Sequence, residues 1–288
     1  MKFVDRYGNL HENKEKEISH SYLDYDNPFR EKLEAFYAKM RKAPKEERFL
    51  QSPISRNFIR LFVNRHEIDL RDYEGYPFLS FDEFYRRKIK KGKRPIAFEE
   101  NILIAPCDGK AMLTKIGDMG TFSYKNKIYS LGNQIGNYRP GQKFAHGTAL
   151  IIHLSPEDYH HFISFDEGEK SANRTIKGGQ LASDIRNQEE FYLYKKDYRE
   201  NFMFRSKHFG DCALVFSSGT YKGSLSCIQE QKDLKKGEEL GFFESGNAYV
   251  LVFFEKNKVI FDQDLEGNSK NNLLTQITMG ERIGSSFH

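Results

Sequence analysis

Tryptophan is absent from these 288 residues, and cysteine is scarce, with Cys107, Cys212 and Cys227 as the whole complement. The three thiols show no C-x-x-C pairing and no zinc-like spacing. An odd count without a framework suits a reducing compartment better than secretion. No run of 18 apolar residues occurs, so no helix is expected to span a bilayer, and any membrane contact would be peripheral. The N-terminus, Met1-Lys-Phe-Val-Asp-Arg-Tyr-Gly-Asn9, lacks the apolar core of a signal peptide. The expected location is therefore cytoplasmic, with peripheral attachment to the inner face of the membrane left open. There is no internal repeat and no low-complexity tract.

What is present is an ordinary globular composition on the polar side. Hydrophobic residues make up 38% and charged residues 30%. Aromatic content is high at 14%, carried by 25 Phe and 16 Tyr. A chain of this length buries a substantial core in one large domain or two ordinary ones. The net charge of +4 favours approach to anionic lipid and to nucleic acid alike, and selects neither.

Two textures divide the chain. Residues 1–98 read as largely helical. Phe29, Leu33, Phe36, Tyr37 and Met40 recur at helical spacing, as do Ile54, Phe58, Leu61 and Phe62, and Phe81, Phe84 and Tyr85 form a shorter third candidate. The basic run Arg86 to Arg94 follows, and Pro95 marks a boundary. Residues 99–288 instead carry short β-like runs, at 102–105, 149–153, 213–216 and 249–254, mostly bounded by Gly, Asp, Ser or Lys. The hydrophilic stretch 266–272 reads as a loop. The expected fold is α+β, with an N-terminal helical segment packed on an antiparallel β-rich sandwich or barrel.

Four separated segments then carry a resemblance. Ser80-Phe-Asp-Glu-Phe-Tyr-Arg-Arg-Lys-Ile-Lys-Lys-Gly-Lys-Arg-Pro-Ile96 matches a Ser-Phe-x-x-Phe-Phe-x-Arg-x-Leu-Lys-x-x-x-Arg-Pro signature. Ala105-Pro-Cys-Asp-Gly-Lys110 matches Pro-x-Asp-Gly. Leu154-Ser-Pro-Glu-Asp-Tyr-His-His-Phe-Ile163 matches Leu-x-Pro-x-Asp-Tyr-His-Arg-x-His. Lys236-Gly-Glu-Glu-Leu-Gly-Phe-Phe243 with the strand-forming run to Phe254 matches a processing segment. In this order they resemble the phosphatidylserine decarboxylase family. The tail, Met279-Gly-Glu-Arg-Ile-Gly284, is similar to that of a clostridial-type branch.

The resemblance implies a definite chemistry. Decarboxylation of an amino acid leaves a carbanion that needs an electron sink, which the family supplies with a pyruvoyl carbonyl forming a Schiff base with the substrate amine. The pyruvoyl arises when a Ser hydroxyl, activated by a base that a carboxylate holds, attacks the preceding carbonyl. By that resemblance the carboxylate is Asp108, and the first His, implicated in proton handling, is His160. The base falls on Ile163. The nucleophile of the Gly-Ser-Thr triplet falls on Ala248, within Asn247-Ala248-Tyr249. A methyl has no lone pair and an Ile side chain takes no proton. No pyruvoyl cofactor is therefore expected, and self-processing and decarboxylation are expected to be lost. A lipid-binding or regulatory role is expected in their place. The alternative is an active decarboxylase of phosphatidylserine or a related amino acid, with its carbonyl made by another route. Ser245, three residues upstream on an extended chain, lies roughly 10 Å away and faces the other side.

Simpler readings stand beside these. Asp108-Gly109 also suits a β-turn. Cys107 reads as a small buried thiol before it reads as a nucleophile. His160 and His161, adjacent on a strand, point to opposite faces, so no metal site is expected. Arg86, Arg87, Lys88 and Lys90 suit phosphate head groups of an anionic membrane surface, and equally a solvated linker face. No nucleic-acid motif accompanies the run. The resemblance also raises a homodimer, or a related decarboxylase as partner.

Overall fold

The computed structural model describes residues 2–12, 48–137, 139–176, 198–218, 225–226, 230, 232–244 and 248–287. The helix expected over residues 27–40, together with Cys227, Ser245 and Asn247, lies outside them.

The chain opens with β1 (Lys2–Val4) and β2 (Leu10–Glu12), followed, after residue 47, by a 3-10 turn (Pro53–Ser55) leading into α1 (Arg56–Arg65) and then by α2 (Phe81–Tyr85). Next come β3 (Ile102–Ile104), β4 (Gly109–Lys115), β5 (Thr121–Tyr124), β6 (Lys127–Ser130), α3 (Leu131–Ile135), β7 (Thr148–Leu154) and β8 (His161–Ile163). They are followed by β9 (Gly168–Lys170), β10 (Arg174–Ile176), β11 (Tyr198–Ser206), β12 (Gly210–Ser218), β13 (Leu225–Ser226), β14 (Asp233–Leu234) and β15 (Glu239–Phe243). The last elements are β16 (Ala248–Phe254), β17 (Val259–Phe261), α4 (Gln263–Lys270), β18 (Leu274–Ile277) and β19 (Arg282–Ser286). The fold is α+β, as the sequence implies, and its main sheet is open rather than a closed barrel.

That sheet runs β14-β9-β11-β12-β16-β7-β4-β18-β1-β2, with β10 also paired to β11. Its centre is β16, between β12 and β7 in antiparallel register. Every residue of β16 is buried, because apolar side chains cover the sheet on both faces. Ala248, Val250, Val252 and Phe254 enter one core cluster, and Tyr249, Leu251 and Phe253 the other. A strand so placed reads in sequence as a continuous apolar run.

One element is unforeseen and one expectation is corrected. The described N-terminal residues include strands beside the helices, since β1 pairs in parallel with β18 and carries β2 on its outer edge. Arg6 holds this hairpin to the end of the chain through Asp262 at 2.9 Å and Asp264 at 2.5 Å. The stretch expected as a loop near 266–272 is largely α4. Leu265, 1% exposed, anchors it to the core, Asp264 and Glu266 lie in its first turn and Lys270 in its last, all in the sense the helix dipole favours.

The helical segment joins through an aromatic cluster. Phe62 meets the rings of Phe81 and Phe84 edge-on at 5.3 and 5.7 Å. Met279 packs against this cluster and against the core that contains Ala248.

Candidate functional site

The residues singled out in the sequence gather at one end of the central strands. Ala248, the first residue of β16, is fully buried. Its cross-strand partners are Leu154 on β7 and Ser218 on β12. It shares one apolar cluster with Cys107, Leu154, Phe162, Ile163, Phe216 and Phe243. Phe162 stacks on Phe216 at 4.3 Å and leans on Phe243 at 5.1 Å. Ile163 ends β8, and its N–H donates to the Pro106 carbonyl at 2.8 Å.

Asp108 sits between Cys107 and the start of β4. Its Oδ1 accepts the Met279 N–H at 2.7 Å, and its Oδ2 takes the Arg94 guanidinium at 3.1 Å. Burial raises the carboxyl above the ordinary aspartate value, and the Arg94 charge offsets part of that rise. Asp-Gly is no hairpin turn here, because Gly109 already belongs to β4. A Cβ on Gly109 would stand 2.6 Å from the His153 carbonyl oxygen, with φ at +145°, so glycine is the residue that lets β4 approach β7.

His160 is also fully buried. Its Nδ1 lies 2.8 Å from the Asp158 carbonyl, which fixes the proton on that nitrogen, and its ring meets Tyr85 edge-on at 5.3 Å. The loop before it is built around Asp158, whose Oδ2 accepts the Ser155 N–H at 2.7 Å. Buried Lys110 reaches Ser155 Oγ at 2.9 Å and Asp158 Oδ2 at 3.3 Å. The Cys107 thiol is pushed well up by burial, so it stays protonated and inert at neutral pH.

The comparisons with known proteins match most of the chain. The phosphatidylserine decarboxylase family model matches residues 81–285. The chain is 32% identical over 259 residues to a phosphatidylserine decarboxylase proenzyme of Clostridium perfringens, covering 88% of this chain and 87% of that one. It is 32% identical over 243 residues to that of Fusobacterium nucleatum, covering 83% and 81%. It is 30% identical over 228 residues to proenzyme 2 of Clostridium acetobutylicum, covering 79% and 78%. The chain belongs to the phosphatidylserine decarboxylase family.

Within this member, the positions that the resemblance assigns to carboxylate, proton-handling histidine, base and nucleophile all lie at or beside one buried cluster. Sequence reading missed Arg94 as the partner of Asp108, although it stands in the Arg-Pro pair of the first motif. It also missed Lys110, two residues beyond Asp108.

The basic run is divided by the fold. Arg86, Lys88 and Lys90 are exposed. Arg86 pairs with Asp82, and Lys90 Nζ donates to the Arg71 carbonyl at 2.9 Å. Arg87 is corrected, because it is 2% exposed and does not reach a lipid surface. Its guanidinium lies over the Phe84 and Tyr73 rings at 4.4 and 4.7 Å and donates to the Glu157 and Asp158 carbonyls. The cause is spacing, since Arg87 follows Phe84 by three residues and falls on the same buried face. His160 and His161 turn to different partners, and no group of three metal ligands occurs among the described residues.

Proposed function

We propose that this member of the family neither processes itself nor decarboxylates, and that it acts as a lipid-surface binding or regulatory protein. The observation that carries the reading is the placement of Ala248 and Ile163 in a single apolar cluster. At the positions the resemblance assigns to the hydroxyl and its base stand two apolar side chains, both buried in the same core cluster. Without a hydroxyl on residue 248 there is no attack on the preceding carbonyl, and no electron-accepting ketone at that strand.

The lipid part rests on the N-terminal segment. Residues 48–94 hold 12 Lys and Arg against 6 Asp and Glu, so the chain's positive excess is concentrated there. The same segment exposes Ile54, Leu61, Tyr76 and Leu79, each by more than half. Cationic and apolar groups together suit the headgroup region of an anionic membrane. No helix of the described residues is long and apolar enough to cross a bilayer. A related decarboxylase or a second copy of this chain remains the protein partner that the family relationship suggests.

Co-sedimentation with vesicles of varied head group tests this. Binding that requires phosphatidylserine supports the lipid role, and equal indifference to all vesicles removes it. An active decarboxylase is the second reading, favoured by retention of Asp108 and His160. It needs a carbonyl from elsewhere, and Ser218, across from Ala248, does not supply the family's cleavage. Attack on its own preceding carbonyl would cut between Ser217 and Ser218, within β12. Release of carbon dioxide from phosphatidylserine by the purified protein would establish this reading over the first.

A further inference from the structure

Three of the sequence motifs meet at a side chain outside the candidate site. Ile96 closes the first motif, and it packs against Gly237 of the fourth and Gly280 of the tail. A Cβ on Gly237 would stand 2.6 Å from Ile96 Cδ1. One on Gly280 would stand 3.2 Å from Ile96 Cγ1 and 2.9 Å from the Pro95 carbonyl oxygen. The two glycines leave room for this one side chain, which sits against both as a peg.

Residues 94–98 around the peg form neither helix nor strand. Their inward ties are few. Arg94 donates to Asp108 Oδ2 at 3.1 Å, and Ala97 N–H donates to the Gly280 carbonyl at 3.1 Å. Ile96 and Ala97 pack on the apolar cluster that contains Ala248 and Ile163. Phe98 is 68% exposed, so Ile96 is the one large apolar side chain of the segment turned inward. The two ends are anchored separately. Before the segment, Lys93 pairs with Asp72 at 2.9 Å, and Lys90 N–H donates to the Asp72 carbonyl at 2.8 Å. After it, Lys236 Nζ donates to the Glu99 and Ile102 carbonyls at 2.6 and 2.7 Å. Beneath it run two turns that flank the candidate site. Gly237 N–H donates to the carbonyl of Ser164, the residue after Ile163, and Met279 N–H holds Asp108.

We propose that residues 94–98 are a removable strap over the candidate site, pegged by Ile96 and tied by Arg94, which bows outward between its anchored ends to let solvent and small molecules in. Ala248 and His160 are fully buried, and Ile163 and Asp108 are 4% and 8% exposed, so entry needs an opening. Parting the strands around Ala248 is costly, because β16 is paired along its whole length to β12 and to β7. Lifting the strap breaks one backbone hydrogen bond and one ion pair among the described residues, and withdraws a side chain that is only partly buried. Local openings follow the route with the fewest such ties.

The test uses the full chain, without lipid, so its result is independent of the membrane reading. It compares two native thiols. Cys107 lies beside Asp108 in the cluster with Ala248, and Cys212 pairs with Phe254 at the opposite end of β16 from Ala248. Both are fully buried, and burial pushes both thiols well up, so they start from similar chemistry. Alkylation by a small neutral maleimide, resolved by peptide mass, should modify Cys107 roughly tenfold faster than Cys212. That rate should not respond to urea well below the unfolding transition, as a local opening requires. I96A should speed Cys107 roughly tenfold further and leave Cys212 unchanged. R94M should act in the same sense, although losing a nearby cation disfavours the thiolate, and it serves if I96A fails to fold. Equal rates at the two thiols, a Cys107 rate that follows global unfolding in urea, or no acceleration in the folded variants would overturn the strap.

Discussion

The Arg94 guanidinium and the Asp108 carboxylate stand 3.1 Å apart at the mouth of the buried cluster. This pair holds in place the carboxylate that the family resemblance assigns to the site. Asp108 is otherwise fixed only by the Met279 N–H among the described residues. The carboxylate is thus part of the joint between the start of β4, the β18–β19 turn and the basic linker.

Replacing Arg94 by Met should cost about 1–3 kcal/mol at neutral pH, because Asp108 is left buried without its cation. The sign with pH is defined. Asp108 already has its carboxyl raised by burial, so its contribution to stability is greatest at low pH and is lost as pH rises through the folded value. Losing Arg94 raises that value further. Urea unfolding should therefore show R94M approaching wild type as the pH falls, with Asp108→Asn restoring most of the loss at pH 7. A deficit independent of pH would separate Arg94 from Asp108.

The basic run should divide into two phenotypes. Converting Lys88 and Lys90 together to Ala should weaken binding to phosphatidylserine vesicles by roughly tenfold, with strong salt dependence and little loss of stability. Arg86 is left in place, because it pairs with buried Asp82. Arg87→Ala should instead destabilise the fold by about 2–4 kcal/mol, through the lost contacts to the Phe84, Glu157 and Asp158 carbonyls and lost ring packing. Equal effects of both variants on lipid binding would remove this distinction.

Gly109→Ala should destabilise by about 2 kcal/mol or more, since its Cβ meets the His153 carbonyl and its backbone is in a region that L residues avoid. Denaturant midpoints against wild type measure it. A neutral result would mean that β4 and β7 separate without cost.

Repair of the site should need more than one change. Ala248→Ser alone should leave the chain intact, because Ile163 still occupies the place of the base. Adding Ile163→His, with Asn247→Gly, should permit slow cleavage, at a stability cost of about 2–4 kcal/mol for a polar ring in an apolar cluster. Efficient cleavage by A248S alone would show that Ile163 does not matter.

Much of this was legible from sequence, for reasons that differ by element. The segments around β7, β12 and β16 show because strands covered on both faces spell themselves as apolar runs. α2 shows because its aromatic residues recur at helical spacing. α4 does not, since Asn, Ser, Gly and Asp favour turns and a single Leu265 supplies its anchor. β1 and β2 are too short to signal themselves and exist through pairing with β18. In the site, Ala248 and Ile163 were found by motif position. The pair Arg94–Asp108 was not, because tertiary contacts between distant positions leave no local pattern. Arg87 was misplaced by treating the basic run as uniform, although its spacing from Phe84 already marked the inward face.

The central claim is that Ala248 yields no pyruvoyl group, and intact mass of the protein purified from its natural source tests it most directly. The account predicts that residues 247 and 248 stay joined on one undivided chain. A separate C-terminal fragment beginning at residue 248 with a blocked, pyruvate-derived terminus would contradict it.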